Sequence, residues 1–149
     1  MQALAEASIP ATVIPGVTSA ISVPAVVGIP VTQRGIVHGF TVVSGHLPPG
    51  HEKSLVDWAA LARSGATLAV IMGVRNAPSI ATALIDASLS PSTPCAIIQE
   101  GTLSTERAYH CTLDTLARTM TEQEISSPAV YVIGEEGGGR AGGGVYRHA

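Results

Sequence analysis

The residues with chemistry to offer gather in four short turns: "PGVTSA" at 15–20, "SGHLPPG" at 44–50, "MGVRNAPS" at 72–79 and "QEGTLSTER" at 99–107. Each adjoins an aliphatic run that reads as a strand. In an open α/β sheet, ligands settle outside the carboxyl ends of strands, where backbone amides and loop side chains converge. The stretch "GIPVTQRG" at 28–35 adds Gly28, Pro30 and Gly35, which let backbone approach a ligand closely and turn the chain back over it. Such residues suit a small molecule held by backbone and short side chains. They suit proton transfer less: His46 and His110 lie near the turns without a carboxylate or cysteine spaced to make either a base. Glu100 and Glu106 are the acidic residues of the four turns. Taken singly, every one of these positions also has an ordinary structural reading. Gly73 and Gly101 serve as turn residues, Thr18 and Ser19 as helix caps, Met72 as core filler, and Arg34, Arg75 and Arg107 as solvated charges.

Composition narrows the classes. Eight Lys and Arg against eleven Asp and Glu leave the chain mildly acidic, so no nucleic-acid footprint is expected. The five histidines, at 38, 46, 51, 110 and 148, are scattered, and neither a C-x-x-C pair nor an H-E-x-x-H helix occurs, so no metal site is expected. Cys95 and Cys111 are the two cysteines; without a secretory leader before the body, the cytoplasm is the expected compartment and a structural disulfide is not. Every apolar run is broken by Pro or Gly before the ~20 residues that a membrane span needs.

The elements that must position the turns follow from periodicity. "MQALAEAS" reads as the end of a helix and "ATVIPG" as a short buried strand. "TSAISVPAVVG" is a helix capped at Thr18 or Ser19 and disturbed near Pro24. "HGFTVVSGH" is a strand, "SLVDWAALARSG" an amphipathic helix that stops at Gly65, and "ATLAVIMG" a strand apolar on both faces and hence central. "APSIATALIDASL" is a helix with Pro78 in its first turn, "PCAIIQEG" a buried strand, "RAYHCTLDTLART" a segment that starts extended and ends helical, and "PAVYVIGE" a closing strand. The alternation predicts a single α/β domain over 1–136, a central mixed sheet of about five strands flanked by helices. From 137 the composition turns to "GGGRAGGGVYRHA". Its letters at 137–142 satisfy G-x-G-x-x-G, but the helix and acidic residue of a dinucleotide fold do not follow, so 137–149 is expected to be a flexible Gly-rich tail.

"VIPGVTSAISVPAVVGIPVTQRG", "TVVSGH", "VIMG" and "AIIQEGTLSTER", in this order and at these intervals, closely resemble the carboxyl-terminal half of the uroporphyrinogen-III C-methyltransferases, within the tetrapyrrole methylase family. The resemblance runs from Met1 to about Gly134. It implies a two-domain α/β enzyme, usually a homodimer, that holds S-adenosylmethionine and a tetrapyrrole in the cleft between its domains, with the second domain present here. It implies cofactor contacts at Thr18 and Ser19 in "GVTSA", at Met72 in "IMG" and at Gly101 in "QEGT". "GIPVTQRG" resembles the substrate-side loop, with Gln33 where a histidine is common. A polycarboxylate substrate such as uroporphyrinogen III calls for guanidinium partners, for which Arg34, Arg75 and Arg107 are the candidates. The implied reaction is methylation to precorrin-2, toward sirohaem or cobalamin. The family's acid and base residues are expected in the amino-terminal half, so no catalytic residue is assigned in this chain, which is expected to be a fragment inactive without a complementing half. Two readings stand beside this one: another precorrin methyltransferase, and a non-catalytic ligand-binding or dimerisation module.

Overall fold

The computed structural model describes residues 1–138. After a short helix α1 (Gln2–Glu6), the chain runs through α2 (Ser19–Val26), β1 (Phe40–Ser44), α3 (Trp58–Arg63), β2 (Thr67–Ile71), α4 (Ala77–Asp86), β3 (Pro94–Gln99), β4 (Arg107–Thr112), α5 (Leu116–Glu122) and β5 (Ala129–Ile133). The strands form one sheet in the order β1-β2-β5-β3-β4. β1 and β2 run parallel, while β5 pairs antiparallel with both β2 and β3, and β4 antiparallel with β3. The sheet is mixed and has five strands, as the alternation predicts. The carboxyl ends of β1, β2 and β3 therefore share one edge with the amino ends of β4 and β5.

Side chains alternate across this sheet and build two unequal cores. On one face Leu68, Val70, Ile97, Tyr131 and Ile133 pack beneath α3, α4 and α5, which contribute Trp58, Ile80, Leu84, Leu116 and Met120. Burying each such side chain stabilises the fold by roughly 1.5–3 kcal/mol. The other face carries Ala96, Ile98, Val130 and Val132, covered by Val23 of α2 and by Ile29 in the segment after it. One short helix thus does on this face what three do on the other.

Local signals account for the element ends. The Thr18 hydroxyl accepts from the Ala20 amide at 3.3 Å and caps α2. α2 continues through Pro24, the sixth of its eight residues. Asp57 Oδ1 accepts from the Ala60 amide at 2.9 Å, so α3 starts at Trp58, later than the apolar spacing from Ser54 suggests. Pro78 sits in the first turn of α4, where a missing N–H costs nothing.

Two expectations are corrected. "ATVIPG" is not a strand: residues 11–16 are irregular and exposed, and Ile14 is 87% exposed. Its β-branched residues favour an extended chain, but no strand pairs with it among the described residues. The boundary at 137 also moves, since Glu135–Gly138 form a 3-10 turn in which Gly137 is buried. A Cβ on Gly137 would stand 2.8 Å from the Pro94 carbonyl oxygen, so the turn packs directly on β3. The rest of the expected tail, 139–149 with His148, lies outside the described residues.

Candidate functional site

The loops after β1, β2 and β3 lie at the shared edge, and those after β1 and β2 are pinned to one another. The Gly45 amide donates to the Ile71 carbonyl at 2.8 Å, and Asn76 Nδ2 donates to the Gly45 carbonyl at 2.7 Å. Gly45 and Gly73 touch so closely that a Cβ on Gly45 would stand 2.7 Å from the Gly73 Cα. Beneath them the buried Tyr131 hydroxyl donates to the Gly73 carbonyl at 3.3 Å. Burial raises the Tyr131 pKa above its ordinary value, with the neighbouring Cys95 adding to the rise, so the hydroxyl stays protonated as a donor.

Beyond β2 and β3 the chain adopts left-handed backbone at residues that are not glycine: Met72 at φ 55, Glu100 at φ 53 and Thr102 at φ 74. Such conformations persist where the surroundings over-determine them, and they cluster at functional sites. At Thr102 the constraint is visible, since its amide donates to Glu106 Oε2 at 2.6 Å. The Glu100 amide is held in turn by the Pro128 carbonyl at 3.0 Å.

These loops and the start of α2 enclose a hollow of about 540 Å³, lined by Ser19, Val23, Ile71, Met72, Ile98, Glu100, Gly101, Leu103 and Ser127–Val130. Ser19 at the start of α2, Met72 after β2 and Gly101 after β3 are brought together here. Thr18 stands next to Ser19 as the cap of α2, with its side chain engaged by Ala20. Met72 is 64% exposed and Leu103 56%, so the mouth of the hollow is apolar and open to solvent. The size falls within the range of ordinary small-molecule sites, and an apolar wall beside one carboxylate and two hydroxyls suits a ligand with a flat heterocycle and a polar arm.

Gly101 holds a surprise. A Cβ there would meet Val23 Cγ1 at 2.6 Å and not the space of the hollow. Close packing of α2 against this loop accounts for the glycine by itself. Val23, Ile71 and Leu103 were not singled out in the sequence, because an apolar residue destined for a wall looks like one destined for a core.

The three arginines are not gathered with this group. Arg75 is exposed in the 3-10 turn Val74–Asn76 on the same edge, three residues beyond Met72. Arg107 is engaged in the fold: its Nη2 donates to Gln99 Oε1 at 2.9 Å and its Nη1 to the Gln123 carbonyl at 3.4 Å. Arg34 is exposed in the turn after α2, next to Gln33, which lines a second cavity of about 630 Å³ with Gly28, Ile29, Ile36 and Glu136. Glu136 follows the carboxyl end of antiparallel β5, so this second cavity lies toward the other edge of the sheet. α2 borders both cavities, with Ser19 and Val23 on the first and Ala25 on the second. His46 Nδ1 is 2.8 Å from Ser44 Oγ, and His110 Nδ1 donates to the Gly137 carbonyl at 3.0 Å. No cluster of three potential metal ligands occurs among the described residues, and no helix there is long and apolar enough to cross a membrane.

Comparison with known proteins points one way. Residues 1–117 match the family model of Tetrapyrrole (Corrin/Porphyrin) Methylases. A protein of Methanosarcina barkeri named S-adenosyl-L-methionine-dependent uroporphyrinogen III methyltransferase is 40% identical over 123 residues, covering 83% of this chain and 48% of that protein. A Bacillus subtilis uroporphyrinogen-III C-methyltransferase is 38% identical over 133 residues, covering 89% of this chain and 51% of that protein. Among solved structures, uroporphyrin-III C-methyl transferase from Thermus thermophilus, complexed with S-adenyl homocysteine, superposes with a TM-score of 0.72 at 34% identity, over 89% of this chain and 56% of that one. A cobalt precorrin-4 methyltransferase superposes with a TM-score of 0.82 at 18% identity, a likeness of fold. The chain spans about half the length of these relatives.

Proposed function

The chain belongs to the tetrapyrrole (corrin/porphyrin) methylase family, and from that premise we propose that the described domain forms one wall of a site for S-adenosylmethionine-dependent C-methylation of uroporphyrinogen III. The observation that carries this reading is the convergence of Ser19, Met72 and Gly101 on one apolar hollow at the carboxyl edge of the sheet. S-adenosylmethionine fits the donor set there: Met72, Ile71 and Leu103 offer apolar surface to an adenine face, while the Ser19 hydroxyl and loop backbone offer polar contacts. When bound, it supplies an electrophilic methyl group on a sulfonium, so the protein needs no nucleophile of its own.

What this wall contributes is orientation and exclusion of water. The loops after β1 and β2 are hydrogen-bonded to each other and the loop after β3 to Pro128 before β5, and effective molarity depends on such rigidity. Arg75, three residues beyond Met72, is placed to meet a substrate carboxylate beside the cofactor. Arg34, at the far end of α2, is placed to meet another across the macrocycle. Arg107 serves chiefly to hold Gln99 and the end of β3. The facing wall corresponds to the other half of the relatives' length, and the base that takes the pyrrole proton is assigned there. A homodimer and a cytoplasmic location belong to the same reading.

The test is methyl transfer from labelled S-adenosylmethionine to uroporphyrinogen III. The chain is assayed alone and with the amino-terminal half of the Bacillus relative added. The expected result is little transfer alone and precorrin-2 on complementation. Substantial transfer by the chain alone would overturn the two-wall argument, and a product methylated at other ring carbons would favour a different precorrin methyltransferase.

A further inference from the structure

Cys95 and Cys111 are the only cysteines of the chain, and the sheet sets them directly opposite each other on the adjacent antiparallel strands β3 and β4. The register defines the kind of pair. The Leu113 amide donates to the Thr93 carbonyl at 2.9 Å, so with the pattern alternating along the ladder Cys95 and Cys111 form a hydrogen-bonded pair. Such a pair has Cα atoms about 5.5 Å apart, near the most common separation in disulfides. Both side chains project to the face beneath α3, α4 and α5. Both are free thiols.

Their surroundings differ in a useful way. Cys95 is fully buried, whereas Cys111 is partly exposed on the edge strand β4, so a reagent from solution meets Cys111 first. A hydrogen bond from Cys95 lowers the Cys111 pKa, against its own burial and with help from Thr119. The same contact raises Cys95, together with burial. Cys111 is the more accessible thiol of the pair, while the buried Cys95 thiol donates to the Thr93 carbonyl at 3.6 Å.

We propose that Cys95 and Cys111 form a reversible thiol–disulfide site, in which Cys111 accepts a mixed disulfide from a low-molecular-weight disulfide of the glutathione type and Cys95 resolves it into a cross-strand bridge. Cys111 gives up its proton and as the thiolate attacks one sulfur of the disulfide, forming a new S–S bond and expelling one thiolate, which takes up the proton. Cys95 then gives up its proton and attacks the Cys111 sulfur, breaking the mixed disulfide and expelling the second thiolate, which is protonated in turn. Two protein thiols are oxidised and one disulfide is reduced to two thiols. Directly opposed Cβ atoms in a sheet stand about 4.5–5.5 Å apart, while a disulfide wants about 3.5–4.5 Å, so β3 and β4 must draw together to close the bridge. Strain of this kind raises the reduction potential and keeps the bridge easy to reopen. The site is independent of the methyl-transfer reading.

The folded chain, incubated with oxidised glutathione, is quenched in acid and weighed intact. The wild-type chain is expected to lose two hydrogens and carry no adduct. Cys95→Ser should stop with one glutathione on Cys111, and Cys111→Ser should react roughly tenfold slower or less, its remaining thiol being buried. Circular dichroism checks that each variant is folded, and the wild-type measurement stands without them. Two free thiols after incubation, oxidation only in urea, or a wild-type adduct that never closes would each overturn the proposal.

Discussion

Gly101→Ala tests how the loop after β3 is held against α2. The added methyl would lie 2.6 Å from Val23 Cγ1, 2.9 Å from Cγ2 and 3.2 Å from Cβ. Gly101 has no left-handed φ, so the substitution acts through contact alone. Val23 is 7% exposed, and a valine in a helix has one strongly preferred rotamer, so it cannot swing clear. Overpacking of this kind costs about 2 kcal/mol. Val23→Ala alone deletes two methyl groups from the sheet-facing core, which also costs about 2 kcal/mol. Independent sites would leave the double variant about 4 kcal/mol less stable, but removal of the two clashing methyls should hold the loss near 2 kcal/mol. Urea unfolding of the four chains measures the coupling directly. Calorimetric titration with S-adenosylhomocysteine adds a second readout: Gly101→Ala weakens binding by displacing α2, and the double variant recovers most of it. Simple additivity of the two losses, or a Gly101→Ala chain as stable as the parent, would refute the packing argument.

Three further predictions are more compact. Met72→Lys places a charge in the mouth of the hollow and should weaken S-adenosylhomocysteine binding by about tenfold or more in calorimetry; unchanged affinity removes Met72 from the site. Arg107→Ala takes away the donors to Gln99 Oε1 and the Gln123 carbonyl and should cost roughly 1 kcal/mol in urea unfolding; a loss of methyl transfer in the complemented enzyme without any loss of stability would make Arg107 a substrate residue instead. Tyr131 has a pKa raised from its ordinary 10.0 by burial, then by Cys95. Its neutral form is favoured by folding, so its stability contribution is whole below about pH 10 and is lost as pH rises past that point, where the unfolded chain ionises first. Urea midpoints across that range should fall more steeply for the parent than for Tyr131→Phe, and parallel slopes would contradict this.

Much of the architecture was legible because local and tertiary signals agree. β2 and β3 are continuous aliphatic runs, and a strand buried on both faces has to be. Thr18 announced α2 through its cap, and Pro78 announced the start of α4. The failures are equally physical. Val13 and Ile14 are strand formers by type, yet a strand exists only where another pairs with it. Gly137 looks like linker by composition but packs against β3, a contact no window of sequence contains. Of the residues named from pattern and resemblance, Ser19, Met72 and Gly101 line one hollow. The left-handed backbone at Met72, Glu100 and Thr102 was not legible, because none is glycine. Nor was the Val23–Gly101 contact, which joins residues 78 positions apart by number.

The position of β5 has a consequence for the order in which this chain can become a protein. β2 and β3 are not neighbours; the strand that joins them, Ala129–Ile133, is the last to be synthesised among the described residues. Until it leaves the ribosome, the nascent chain can assemble β1 with β2 and β3 with β4, two small sheets each presenting one bare apolar edge. Pairings over such sequence distances form slowly and leave edges exposed meanwhile. Birth of the domain is then a single late event, in which one five-residue strand slides between two waiting halves. Pulse-labelled hydrogen exchange during refolding would register it as protection gained together by Leu68, Ile98 and Val132, and earlier protection of all three would contradict it.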